Sequence, residues 1–189
     1  MQPMGGGRVV FVGNSGSGKS TSGHRLATRL GIPHVDLDAL YWEPGWTGAR
    51  WEVFRQRVGD AIAGDAWVVS GNYLRAVQDL VWSRVDTVAW LDVPLHLSLR
   101  RLTARSWRRW RRDELLWGTN RESMRMLLKL WDPERSLLAF AVQQHRPRRR
   151  LFEEESRDPR WAHVCFVRMR SPAQVDRFIA EYTPPEQPE

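Results

Sequence analysis

The sequence predicts an α/β fold: a three-layer sandwich in which one five-stranded parallel sheet carries helices on both faces and a helical insertion serves as a lid. Three observations predict it. Short β-branched runs alternate with longer segments of helical period, the pattern of strands joined by crossover helices. The runs are almost unbroken in apolar character, as strands covered on both faces require. A glycine-rich turn closes the first run and opens the first helical segment.

The five strands are expected at Arg8 to Val12, His34 to Leu37, Trp67 to Ser70, Thr87 to Leu91 and His163 to Val167. The first helix runs from Lys19 to about Leu30 and stops at Gly31, which suits a left-handed C-terminal cap, with Pro33 beyond it. A second, Arg50 to Ala63, places Val53, Phe54, Val58, Ala61 and Ile62 on one stripe and ends at Gly64. Residues 92–162 form an insertion that is mostly helical by pattern and holds two arginine clusters. The last helix opens at Ser171-Pro172-Ala173-Gln174, an N-cap hydroxyl, a proline at the first helical position and a glutamine three residues on, and runs to about Tyr182.

A chain of 189 residues with 42% apolar content suffices for one domain, expected at 1–182 with the lid over about 95–160; the Pro- and Glu-rich tail, 183–189, is expected to be disordered. Met1 to Gly7 is polar, and Val9 to Val12 is too short for a signal core or membrane span, so nothing directs export. Cys165 is the only cysteine, which excludes an intrachain disulfide and a cysteine-based metal site and fits a reducing, cytoplasmic setting. The net charge of +7 calls for an anionic partner. Seven arginines lie in Arg100 to Arg112 and four in Arg146 to Arg150, while Trp42, Trp46, Trp51, Trp107, Trp110 and Trp117 fall in polar surroundings that suit ligand stacking. His34, His96, His145 and His163 show no metal-ligand spacing.

Gly13-Asn14-Ser15-Gly16-Ser17-Gly18-Lys19-Ser20 matches the G-x-x-x-x-G-K-[ST] phosphate loop, between a strand and a helix as that motif requires, with Thr21 following. Glycines let successive backbone N–H groups face a triphosphate, and the helix N-terminus adds its positive dipole end. Lys19 is expected to bridge the β- and γ-phosphates of ATP or another nucleoside triphosphate, and the Ser20 hydroxyl to ligate Mg²⁺.

The segments GNSGSGKST, PHVDLDALYWEPGW, WVVSGNY, RVDTVAWLDVP and LLWGTNRES give the chain a resemblance to the adenylate kinase-like branch of P-loop proteins, most of all to the bacterial topology modulation proteins. The resemblance implies a P-loop three-layer sandwich of the nucleotide and shikimate kinase type, a mobile lid, and ATP with Mg²⁺ as donor. By analogy with the similar shikimate kinase pattern, Asp36 would serve the metal's outer shell and Asp38 the acceptor, as a candidate general base. Strand alternation is expected to put both carboxylates on one side. Tyr41, Trp42 and Trp46 look like a wall for a flat or apolar acceptor. Ser70-Gly71-Asn72-Tyr73 departs from the Asp-Gly usual in the resembled proteins, removing a carboxylate expected to hold a metal-bound water; Asp36 and Asp92 are candidates to cover for it. Gly71, Asn72 and Arg75 could meet the acceptor.

Arg101 and Arg105 follow Asp92 by nine and thirteen positions, the spacing at which the resembled adenylate kinases carry an adenine-stacking and a phosphate-binding arginine. Arg101, Arg105, Arg108 and Arg112 share a helical face and are expected to form a positive rail toward the phosphate loop. Arg121 is a further lid candidate, and the Ser171 loop is where related kinases pass the nucleotide base. Lys19, Asp38, Arg101 and Arg105 are therefore the candidate catalytic set. Alternative readings are a nucleic-acid-associated NTP-binding protein, since Trp107 and Trp110 interleave arginines as on single-strand platforms, and a non-catalytic nucleotide binder. No membrane partner is expected, and the chain is expected to be a monomer or homodimer.

Overall fold

The computed structural model describes residues 7–123 and 136–185, with the side chains of Leu74 and Arg75 outside that description. Five strands, β1 (Arg8–Gly13), β2 (His34–Asp36), β5 (Trp67–Ser70), β6 (Thr87–Leu91) and β9 (Cys165–Met169), form one sheet in the order β2-β5-β1-β6-β9. Every neighbouring pair is parallel. Two hairpins add short antiparallel pairs: β3 (Trp42–Glu43) with β4 (Thr47–Gly48), and β7 (Leu115–Leu116) with β8 (Asn120–Arg121). Among the described residues the helices are α1 (Lys19–Leu30), α2 (Leu37–Tyr41), α3 (Trp51–Ala61), α4 (Leu74–Trp82), α5 (Leu95–Arg111), α6 (Leu137–Glu155) and α7 (Pro172–Glu181).

Alternation along β1 divides the core into two layers. Val9 and Phe11 pack with Leu26 and Ala27 of α1 and with Val175 and Ile179 of α7. Val10 and Val12 face the opposite layer, where Phe54 and Val58 of α3, Val77 and Val81 of α4, and Phe152 of α6 cover the sheet. Pairing fixes the strand ends in register: Asp36 lies opposite Ser70, Gly13 opposite Leu91, and Leu91 opposite Met169. The carboxyl ends therefore form one edge, the place where open α/β sheets collect ligands.

Four expectations need correction. The second strand stops at Asp36, because the Asp36 carboxylate accepts the Asp38 N–H and caps α2, so Leu37 begins a helix. The fifth strand starts at Cys165 and not His163: a 3₁₀ turn over Pro159–Trp161 continues to Val164, whose N–H donates to the Trp161 carbonyl. It also reaches past Val167 to Met169, since the intervening Arg168 is satisfied by Asp92. α3 is shorter than expected, with Ile62 as its C-cap and Val53 turned outward, 39% exposed. The insertion contains the β7–β8 hairpin as well as helix. Of the expected disordered tail, residues 186–189 lie outside the described residues, and 183–185 belong to no helix or strand.

Candidate active site

The phosphate loop is built by close packing that only glycine permits at two points. Gly13 has φ 142°, and a Cβ there would strike the Leu91 carbonyl; Gly16 has φ 77°, and a Cβ there would strike the Ser98 carbonyl of α5. Gly18 ends the loop in the left-handed region as the N-cap of α1. No acidic residue occupies the first turn of α1, so the helix itself supplies no charge that offsets the positive end of its dipole. Within the loop, the Ser17 N–H donates to the Asn14 carbonyl (3.1 Å) and Lys19 Nζ donates to the same carbonyl (3.0 Å). Arg101 Nη1 donates to the Ser17 carbonyl at 3.1 Å, and Asn14 Nδ2 donates to the Ala141 carbonyl of α6 at 2.8 Å. Ser15 is half-buried beside them, and Thr21 is exposed on the first helical turn.

Charges converge on Lys19. Burial lowers its pKa to about 8, helped by the Arg148 charge and, more weakly, by Arg105, and opposed by Asp38 and Asp36. Asp36 accepts from the Ser20 hydroxyl as well as from the Asp38 N–H; burial and the neighbouring Asp38 raise its pKa. Asp36 is thus both helix cap and partner of the phosphate-loop hydroxyl, and the alternation expected for Asp36 and Asp38 gives way to a helical turn. Asp38 Oδ1 accepts from the Tyr73 hydroxyl at 2.7 Å. Burial depresses the pKa of Arg105, whose Nε has no hydrogen-bond partner among the described residues, and that of Arg148, which Asp38 counters.

The structure separates the expected site residues into two groups. Lys19, Ser20, Asp36, Asp38, Arg101 and Arg105 come together at the loop. Asp92, Asn72, Arg121 and Ser171 each have partners of their own. Asp92 is not available to a metal: its carboxylate, 7% exposed, takes Arg168 at 2.6 Å, Arg149 at 3.5 Å and Arg170 at 3.8 Å. Asn72 turns to the phosphate loop: its amide accepts from the Gly13 N–H (3.1 Å) and donates to the Gly13 carbonyl (2.5 Å). Arg121 is exposed and paired with Asp113. The Ser171 hydroxyl caps α7, accepting from the Gln174 N–H at 3.3 Å. Arg75 is in α4, and its side chain lies outside the described residues.

The arginine rail splits as well. Ser98, Leu102 and Ser106 form the buried stripe of α5; Arg105 and Arg109 flank it, whereas Arg108 and Arg112 sit farther round the helix and are exposed. Arg109 pairs with Glu122 at 2.8 Å and Glu114 at 3.6 Å. At the position lacking the usual carboxylate, Ser70 is fully buried with its hydroxyl 3.0 Å from His34 Nε2. Burial, then His24, lowers the His34 pKa.

The aromatic wall is partly core and partly clasp. Tyr41 stacks on Trp51 (5.3 Å between centroids) and packs on Phe54 and Tyr73, while Trp42 and Trp46 meet at 5.6 Å and Trp46 reaches Trp117 of the insertion at 5.9 Å. Asn120, 2% exposed, accepts the Trp46 N–H and donates to the Glu43 carbonyl, both at 2.9 Å. The Trp46 indole N–H donates to the Arg121 carbonyl at 3.0 Å. The β7–β8 hairpin is therefore fastened to the β3–β4 hairpin. Sequence reasoning missed Arg148, Tyr73, Arg109 and Asn120. Arg148 had a signal: with Ala141, His145 and Phe152 it falls at helical spacing on a stripe whose ends, Ala141 and Phe152, are buried.

Among the described residues, no group of three His, Cys, Asp or Glu side chains could hold a metal alone, and no helix is long and apolar enough to cross a membrane. No family model matches the chain. It is 31% identical over 123 residues to the uncharacterized protein YqaC of Bacillus subtilis strain 168, covering 64% of this chain and 68% of that protein. It is 40% identical over 98 residues to a shikimate kinase of Symbiobacterium thermophilum and 32% identical over 110 residues to one of Nitratidesulfovibrio vulgaris. Those matches cover 44% and 50% of this chain and span only 56% and 62% of the two kinases. Among solved structures, the shikimate kinase from Acinetobacter baumannii in complex with shikimate has a TM-score of 0.52 at 18% identity, covering 92% of this chain and 88% of that one. The likeness shows the fold.

Proposed function

We propose a function from this premise: the chain belongs to a P-loop kinase-like family together with Bacillus subtilis YqaC. Its reaction is transfer of the γ-phosphoryl group of ATP to a hydroxyl of a small acceptor that also carries an anionic group. One observation carries the reading: Lys19, Arg105 and Arg148 meet Asp36 and Asp38 at the mouth of the phosphate loop. Arg101 brings a further positive charge against the loop itself. Four cations facing two carboxylates suit a triphosphate, a transferring phosphoryl group and an anionic acceptor together.

The residues fit Mg²⁺. Ser20 and Asp36 place a hydroxyl beside a carboxylate whose pKa burial and Asp38 raise, and Mg²⁺ bound with nucleotide needs few protein oxygens. Bound there, it would neutralise charge on the β- and γ-phosphate oxygens. Lys19 would bind the same oxygens, Arg101 would hold the loop's shape, and Arg105 would stabilise charge on the transferring group. Asp38 would take the proton of the acceptor hydroxyl, and Arg148 would hold the acceptor's anionic group. The fastened hairpins would exclude water and limit hydrolysis.

The two relatives named shikimate kinase support a small-molecule acceptor. The finer placement, beside the topology modulation proteins and with adenylate kinase-like transfer to a nucleotide, rests on the five segments from GNSGSGKST to LLWGTNRES and on the spacing of Arg101 and Arg105 after Asp92. Transfer from γ-labelled ATP with Mg²⁺ to a panel of nucleoside monophosphates, nucleosides, polyols and hydroxy acids tests both, with Lys19→Ala as blank. A labelled product absent from the blank is expected; ATP binding with no product from any acceptor would overturn the reading.

A second reading has its own observation. Trp107 and Trp110 are 49% and 47% exposed with rings 5.3 Å apart, beside the exposed Arg108, Arg111 and Arg112. Stacking surface next to cations suits single-stranded nucleic acid. Binding of an oligonucleotide that weakens steeply with salt, at unchanged ATP affinity, would support it; no binding at low salt would end it.

A further inference from the structure

We infer that the turn Gly71-Asn72-Tyr73 is a positioning element that fixes the phosphate loop and Asp38 to one another, with Tyr73 orienting the carboxylate that receives the acceptor's proton. The inference rests on the proposed kinase reading and adds two residues that neither grip the nucleotide's phosphates nor meet the acceptor.

Each residue of the turn has a contact on one side of the reaction. The Gly71 N–H donates to the Phe11 carbonyl of β1 at 3.2 Å. Gly71 has φ 147°, and a Cβ there would lie 2.7 Å from the Leu37 Cβ, so its bare backbone lets α2 close against the turn. Leu37 is the neighbour of Asp38. Asn72 then clasps both polar groups of Gly13, the N–H at 3.1 Å and the carbonyl at 2.5 Å, the last residue of β1 before the phosphate loop curls. Tyr73 turns the other way and donates its hydroxyl to Asp38 Oδ1 at 2.7 Å. Two consecutive side chains thus hold the donor cradle and the base, each by directed hydrogen bonds.

Tyr73 is itself immobilised. Its ring lies 4.9 Å from Tyr41 and 5.0 Å from Phe54, so its hydroxyl has a defined position. Burial, then the Asp38 charge, drives the phenol's pKa well above its ordinary value; Tyr73 keeps its proton and does not act as the base. Its bond occupies Oδ1 and leaves Oδ2 for the acceptor hydroxyl. In the step so arranged, the acceptor oxygen forms its bond to the γ-phosphorus as the bond to the β,γ-bridging oxygen breaks. The acceptor's proton passes to Asp38, and ADP leaves. A displaced base loses much of its effect even when chemically intact: misplacement by about 1 Å can cost roughly a hundredfold.

The test compares Tyr73→Phe, Asp38→Asn, their double variant and Asn72→Ala with wild type. Tyr73→Phe keeps the ring, and should lower kcat by about ten- to a hundredfold at unchanged nucleotide KM. In the double variant the loss should be no greater than in Asp38→Asn alone, because Tyr73 acts through Asp38. Losses that multiply, or full kcat in Tyr73→Phe, would overturn the inference. Asn72→Ala should instead raise the nucleotide Kd.

A second readout is independent of turnover. The protein has three tyrosines, Tyr41, Tyr73 and Tyr182, and tyrosinate absorbance assigned with Tyr73→Phe reports the phenol. Asp38→Asn should let Tyr73 ionise at lower pH, since a facing negative charge is removed. If wild type transfers no phosphoryl group to any acceptor, the kinase reading fails by itself. The positioning inference then stands or falls on this titration and on the Asn72→Ala affinity, and an unchanged value in either would refute it.

Discussion

Replacing Lys19 with methionine should stabilise the nucleotide-free protein while abolishing nucleotide binding. Burial and the Arg148 charge lower the lysine's pKa from 10.5 to about 8. Below pH 8 both folded and unfolded chains carry the proton, and the folded state bears the whole cost of holding it. The difference, 10.5 − 8 or about 2.5 pH units, corresponds to roughly 3 kcal/mol. Methionine forfeits the hydrogen bond from Nζ to the Asn14 carbonyl, which offsets about 1 kcal/mol. A net gain of roughly 2 kcal/mol is therefore expected at about pH 7. Between pH 8 and 10.5 the folded lysine gives up its proton before the unfolded one does, so wild type catches up and, keeping its hydrogen bond, ends about 1 kcal/mol ahead. Urea unfolding followed by tryptophan fluorescence across this range measures the gap, and calorimetry measures nucleotide binding. A variant less stable than wild type at neutral pH, or one still more stable above pH 10.5, would refute the reasoning.

Three further predictions follow the same contacts. Arg148→Met should lower turnover by about a hundredfold or more with nucleotide affinity little changed, and should raise the pKa of Lys19, because the Arg148 charge depresses it; parallel loss of nucleotide affinity would place Arg148 on the donor instead. Asp92→Asn should destabilise the fold by about 3 kcal/mol, since Arg168, Arg149 and Arg170 lose a shared buried counter-charge. Its Mg²⁺ dependence in nucleotide binding should match wild type, and a lost dependence would return Asp92 to the metal. Asn120→Ala removes two of the three polar ties named between the hairpins, worth about 2 kcal/mol together. The acceptor KM should rise, and an unchanged KM would show that the clasp does not enclose the acceptor.

The phosphate loop was legible because its determinants are local: a strand, glycines with positive φ, a lysine and a helix start follow one another within Arg8 to Ser20. The strands Trp67–Ser70 and Thr87–Leu91 were legible for a related reason, since burial on both faces leaves a continuous apolar run. Charged side chains resisted reading because their meaning depends on which neighbour reaches them first. Asp36 ends β2 and Asp92 directly follows β6 at the ligand edge, and position alone made both metal candidates. Arg168 on the adjacent strand captures Asp92, while the turn into α2 aims Asp36 at Ser20. The same holds for arginine. Helical spacing placed Arg101, Arg105, Arg108 and Arg112 together, but the burial of Ser98, Leu102 and Ser106 chose which of them faces inward. Arg148 was hidden among four arginines within five residues, although its spacing from Phe152 marked it as the one on the packed side. In a basic insertion, then, the apolar and small residues between the arginines say more about which charges serve the site than the arginines themselves, because burial orients the helix and the charges follow.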